Sequence, residues 1–250
     1  MLEGFKSVIA FLTIIPVRGR VESIEEIAHN MHLFPIVGAG LGACVGFLGS
    51  VLVRLLPSAL IAVVLTISSL YLVTGLHHFD GLLDFGDGMM VQGTPEKKKA
   101  AMRDKNTGAG GLGLGLLNTL LLLSCLWIAA PDEFMPLIMV SEASAKFAMV
   151  FGAAVAKPSS DGIGAIFIQS LKNRRGRIVL GSAALFCVAI GAFTLGKIGL
   201  LAVGSALGVS WIIVQISHRS FRCVTGDVLG SINELARSTS LLAMVAFHWL

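Results

Sequence analysis

Charge is what this chain has least of. Asp, Glu, Lys and Arg make up 14% of its 250 residues, against 55% hydrophobic residues and a mean hydropathy of +0.84. So few polar groups cannot cover a soluble globule of that size, and the composition excludes one. Cysteine offers little covalent or metal chemistry: Cys44, Cys125, Cys187 and Cys223 are scattered, with no Cys-x-x-Cys spacing, and three lie in apolar segments. Small-residue packing explains them better than disulfides or zinc. No small-residue cleavage site follows the N-terminal apolar run, which carries only Lys6 before Pro16, Arg18 and Arg20. Residues 1–17 read as an interfacial amphipathic helix rather than a signal peptide.

Long apolar runs take the place of charge. Segments of about 20 residues, the length that crosses a bilayer, occupy 33–52, 59–76, 112–130, 134–156, 178–195 and 198–216. The stretch 240–250 is about 16 Å long as a helix, so it crosses only by recruiting the polar residues before it. The expectation is an all-α polytopic membrane bundle of six to seven transmembrane helices plus the N-terminal interfacial helix, forming one domain over 1–250.

The segments 1–32, 77–111, 157–177 and 217–239 hold sixteen of the nineteen Lys and Arg residues, which places them on the cytoplasmic side of the cell membrane. The opposite loops are short hairpins marked by Pro57, by Pro131, and by Gly196 with Gly199. A basic face of this kind suits anionic lipid and phosphate, not nucleic acid.

Three runs on that side carry the chemistry. In the first, His78, Asp80, Asp84 and Asp87 follow Gly75 directly after an apolar span. Carboxylates at i, i+4 and i+7 share a helix face and repel one another unless a cation sits between them. Hard oxygen ligands suit Mg²⁺, or Mn²⁺, and Mg²⁺ usually accompanies a phosphate-bearing substrate.

In the second run, Arg103, Asp104, Lys105, Thr107 and Gly108 precede a glycine-rich turn opening the third span, so helix N-terminal amides and two cations converge where an anion binds. Lys97 to Lys99 read as a solvated charge run. The third run holds Gly226, Asp227, Gly230 and Glu234 at helical spacing, and its acids could close with the first cluster around one site. Asp161, isolated beside Gly162, reads as a turn residue. Inside the fourth span Glu142 and Lys146 stand four apart, where an unpaired charge costs about 2.5–3.5 kcal/mol. Two readings stand together: an ion pair in the favourable order, and Lys146 reaching a substrate phosphate.

These motifs resemble the cobalamin synthase family. The resemblance is carried by Gly75-Leu76-x-His78-x-Asp80-Gly81-x-x-Asp84-x-x-Asp87-Gly88, by Met102-Arg103-Asp104 with Gly108 and Gly111, and by Gly226-Asp227-x-x-Gly230 with Glu234. Phe11-Leu-Thr-Ile-Ile-Pro16-Val and Phe34-Pro35-Ile-Val-Gly38-x-Gly40 extend it over nearly the whole chain. Where a Gly-Gly pair is expected before the histidine, this chain has Gly75-Leu76-His77, and Lys146 stands where an arginine is more typical.

The resemblance implies a membrane enzyme that transfers the cobinamide phosphate of adenosylcobinamide-GDP to the ribose hydroxyl of α-ribazole or its 5′-phosphate, releasing GMP with Mg²⁺. On this reading Asp80, Asp84 and Asp227 hold the metal. Asp87, or else His78, orients or deprotonates the hydroxyl. Arg103, positioned by Asp104, contacts phosphate together with Lys105, Thr107, Gly108, Lys146, Gly226 and Glu234. A homo-oligomer is compatible with it.

Two other Mg²⁺-dependent classes are close in chemistry. CDP-alcohol phosphotransferases use Asp-x-x-Asp-Gly followed by Ala-Arg, which is absent here, and membrane prenyltransferases use two aspartate-rich motifs. A transporter would place its ionisable groups near the bilayer midplane, whereas these carboxylates cluster at the boundary.

Overall fold

A computed structural model of the chain describes residues 2–17 and 23–248. Arg18, Arg20 and Leu250, which entered the sequence reading, lie outside them. The helices in chain order are α1 (Leu2–Leu12), α2 (Ile24–His29), α3 (Phe34–Leu55), α4 (Ala59–Val73), α5 (His77–Met90), α6 (Pro95–Met102), α7 (Ala109–Trp127), α8 (Phe134–Val155), α9 (Ile163–Ser170), α10 (Arg174–Ser220) and α11 (Gly226–His248). Among the described residues, one isolated bridge between Pro158 and Val224 takes the place of any strand.

The fold is an all-α polytopic bundle. Among the described residues, four helical segments are long and apolar enough to cross a membrane: Met31–Leu55, Ala109–Trp127, Pro131–Val155 and Arg174–Ser220. α4 and α5 pass the same test only when taken together, across a bend of 92°. At 47 residues α10 is about 70 Å of helix, twice what a bilayer needs. It folds back at Gly196, whose φ of 59° and ψ of −131° break the helix, giving the two arms expected from the sequence. Of the 240–250 stretch, residues 240–248 prove to be the end of a helix that starts at Gly226. Its 23 residues have spanning length, and its polar first half is buried against its neighbours.

Close helix approach seats that polar half. Gly38, Gly42 and Gly46 line one face of α3, and a Cβ on Gly38 would come within 2.7 Å of Glu142 O on α8. In lipid, where helices gain little from burying apolar surface, such backbone contact is what holds them together. Between α8 and α11 lies a buried ionic network. Glu142 pairs with Lys146 at 3.5 Å and with Arg237, which also pairs with Glu234. Lys146 Nζ donates to Asn233 Oδ1 at 2.7 Å, and the Arg237 guanidinium lies 5.9 Å from the Tyr71 ring centroid. Two acids and two bases balance, which makes burial tolerable.

At the end of α4 the chain turns through Gly75 and Leu76, both near φ 60°, so α5 leaves at 92° and does not continue the span. Loops meet at this end of the bundle. Ser159 N–H donates to Val224 O at 3.3 Å, and Arg103 pairs with Asp161. The opposite end carries the Arg54–Asp132 pair.

Candidate active site

Asp80, Asp84 and Asp87 ride on α5, with Asp80 exposed and the other two half-buried. Their neighbour from the far end of the chain is Asp227, in the first turn of α11. Gly81 makes that approach possible, because a Cβ there would stand 2.8 Å from Asp227 O and 3.0 Å from its Cα. Burial first, and then the negative charges of Asp227, Asp80 and Asp87, push the Asp84 carboxyl up to about 7. The acids of two distant segments therefore share one electrostatic site.

Among the described residues, no three His, Cys, Asp or Glu side chains already stand close enough to hold a metal ion, so Asp80, Asp84 and Asp227 do not form a finished cage. The donor set still fits Mg²⁺, which typically takes one or two carboxylates and completes its shell with phosphate and water.

Asp87 is differently employed from the expectation. Its two carboxylate oxygens accept the N–H groups of Gly108, at 2.7 Å, and Gly111, at 2.8 Å. It therefore caps the N-terminus of α7, where unpaired amides and the helix dipole favour an anion. His78 is buried and its Nδ1 has no hydrogen-bond partner.

A small basic cavity of about 40 Å³ opens beside Asp227, lined by Lys99, Arg103, Ser159, Ser160 and Thr225 among others. Thr225 Oγ1 donates to Asp227 Oδ2 at 3.2 Å. Arg103 is steadied by Asp161 at 3.2 Å, not by Asp104, whose Oδ1 instead accepts from Asn106 N and Nδ2 at 3.0 Å. Lys105, Thr107 and Gly108 are exposed on the loop between α6 and α7, and Gly226 is exposed at the start of α11. Lys146 and Glu234 are not at this surface. Their exposures are 0% and 1%, and both are engaged in the ionic network, so of the two readings of Lys146 the structure shows the ion pair.

The family model described as cobalamin-5-phosphate synthase matches residues 4–245. The chain belongs to the cobalamin-5-phosphate synthase family. Relatives named adenosylcobinamide-GDP ribazoletransferase include one from Methanocella arvoryzae, 35% identical over 100% of this chain and 98% of its own. Another, from Methanococcoides burtonii, is 31% identical over 97% and 92%, and one from Pyrococcus abyssi is 30% identical over 96% and 96%. No solved structure matches the chain.

Two residues at the site lie outside the motifs that mark the cobalamin-5-phosphate synthase family here. Lys99 reads from sequence as one member of a solvated run, and Asp161 as a turn residue. Helical phase gives the only advance signal for Lys99, since it lies one turn before Arg103. The pairing of Asp161 is a contact across 58 residues, for which local sequence carries no sign.

Proposed function

We propose that this chain is an adenosylcobinamide-GDP ribazoletransferase, which joins the corrinoid phosphate to α-ribazole or its 5′-phosphate and releases GMP. The observation that carries the reading is the meeting of Asp227 with Asp80 and Asp84 beside the cavity lined by Lys99 and Arg103. Acids for a cation and bases for phosphate thus face one another, in a chain that the family matches nearly end to end.

In the reaction, the ribose hydroxyl oxygen forms a bond to the corrinoid-side phosphorus. The bond from that phosphorus to the bridging oxygen breaks, and GMP departs with the oxygen. Mg²⁺, held by Asp80, Asp84 and Asp227, would neutralise the diphosphate. Arg103 and Lys99 receive the negative charge of the leaving phosphate. Asp227 orients the attacking hydroxyl, whose proton passes to the departing GMP phosphate, while both carboxylate oxygens of Asp87 are engaged with the α7 amides. Asp161 fixes the Arg103 fork, and Asp87 fixes the end of α7 that frames the site.

The membrane is the cell membrane and the site faces the cytoplasm, because the Lys- and Arg-rich loops gather at this end. Apolar side chains such as Leu185 and Phe193, 72% and 90% exposed, face lipid. The test is incubation of the purified protein with adenosylcobinamide-GDP, α-ribazole and Mg²⁺, read by the appearance of GMP.

A further inference from the structure

A second cavity of about 260 Å³ also borders Asp227, with neither Lys99 nor Arg103 in its lining. Its walls come from five helices: Phe11 of α1, His78 of α5, Met149 of α8, Ile163 and Phe167 of α9, and Leu229 of α11. Asp227 lines this cavity as well as the basic one. Building on the transferase reading, we infer that this cavity seats the flat aromatic base of the acceptor nucleoside, so that its ribose emerges at Asp227 and presents the hydroxyl toward the phosphates.

The chemistry of the walls fits such a base. Phe11 and Phe167 meet edge to face with ring centroids 5.3 Å apart, and the Met149 thioether adds a polarisable contact, so a π-system finds both edge and sulfur partners. Phe167 and Met149 are 3% and 6% exposed, so the slot is held by packed side chains. His78 on α5 and Asp227 on α11 add polar groups to walls that are otherwise mostly apolar, the kind of lining that fixes the orientation of a small ligand.

Size separates the two substrates. The volume falls below the roughly 300–1,000 Å³ taken by drug-sized ligands, which admits a bicyclic base and excludes a corrin ring. The corrinoid then lies outside, with its diphosphate entering from the side of Arg103. The arrangement also gives α1 and α9 a role, since neither carries an acid of the cluster.

Ile163 stands at the rim, 47% exposed, so Ile163→Trp can fill the opening without disturbing the packed interior. Phe167→Leu removes an aromatic wall at similar volume. Each variant, checked for retained helix content, is compared with wild type in steady-state GMP release and in equilibrium dialysis of α-ribazole without donor. Ile163→Trp is expected to raise the KM and Kd for α-ribazole at least tenfold, with the donor KM within twofold and kcat at saturating nucleoside within threefold. Phe167→Leu is expected to weaken nucleoside binding severalfold in the same selective way.

A rise in donor KM with nucleoside affinity unchanged would assign the cavity to the donor and overturn the inference, as would affinities unmoved in both variants. A wild-type chain that binds α-ribazole yet releases no GMP overturns the transferase reading alone. If it releases GMP while the variants bind nucleoside normally, the cavity assignment alone falls. Absence of both binding and release overturns both.

Discussion

The main chain of Asp227 rests on Gly81, with the Asp227 Cα 3.0 Å from where a Gly81 Cβ would stand. This crossing of α5 and α11 joins the two acidic segments, and a single methyl group tests it. Gly81→Ala would force α11 outward and separate Asp227 from Asp84. The expected outcome is a loss of GMP-release activity of at least about a hundredfold, in line with the sensitivity of catalysis to displacements near 1 Å. Gly113, where an added Cβ would meet nothing within 4 Å, supplies the control, and Gly113→Ala should keep wild-type rates.

Asp84 sets a pH dependence for metal binding. Burial and its acidic neighbours push its carboxyl up to about 7, so below that pH it holds a proton that the cation must displace. Mg²⁺ affinity should therefore rise with pH, by about fivefold from pH 6 to pH 7 and about twofold more by pH 8, and level off above that. Without metal the raised carboxyl has the opposite effect on folding: the stability it contributes falls as pH rises from the usual carboxylate range through about 7. Calorimetric Mg²⁺ titrations at pH 6, 7 and 8 check the first trend. Asp84→Asn should flatten it.

Arg103 and Asp161 form an exposed pair, with side chains 67% and 69% accessible, and such pairs are worth no more than about 1 kcal/mol to folding. Asp161→Asn should leave thermal stability nearly unchanged while lowering activity severalfold through a less ordered Arg103. Arg103→Lys, which keeps the charge and loses the planar fork, should cost about tenfold or more in kcat/KM. Lys99→Ala should also impair turnover, whereas Lys97→Ala and Lys98→Ala, which do not line the cavity, should not.

Glu142 bridges Lys146 and Arg237 at zero exposure. Glu142→Gln leaves two buried cations with one remaining carboxylate, Glu234, and removing a partner of this kind costs about 3–5 kcal/mol. Thermal unfolding in detergent should show the loss. Lys146→Met should lower stability too, but with the KM for either substrate unchanged in the folded fraction. A selective rise in donor KM would return Lys146 to the substrate.

Much of this was readable from the sequence because bilayer length and helical period are strong constraints. The apolar runs at 33–52 and 134–156 became α3 and α8 almost unshifted, and Gly196 broke α10 where a hairpin was expected. The end of α4 was not readable, because the turn depends on Leu76 taking a φ of 60°, which a leucine does not advertise. Nor was α11, whose first half looks too polar to enter a membrane until Glu142 and Lys146 supply its counter-charges. Within the site, helical spacing put Asp80, Asp84 and Asp87 on one face but could not distinguish them. Asp87 is set apart by the α7 amides, a contact between helices to which sequence periodicity is blind.

The most direct measurement is GMP release by the purified chain in lipid nanodiscs, supplied with adenosylcobinamide-GDP, α-ribazole and Mg²⁺, alongside Asp84→Asn and Asp227→Asn. The account predicts one GMP released per corrinoid joined by the wild type, and rates lower by orders of magnitude in both variants while helix content is retained. No GMP from the wild type, or wild-type rates in both variants, would contradict it.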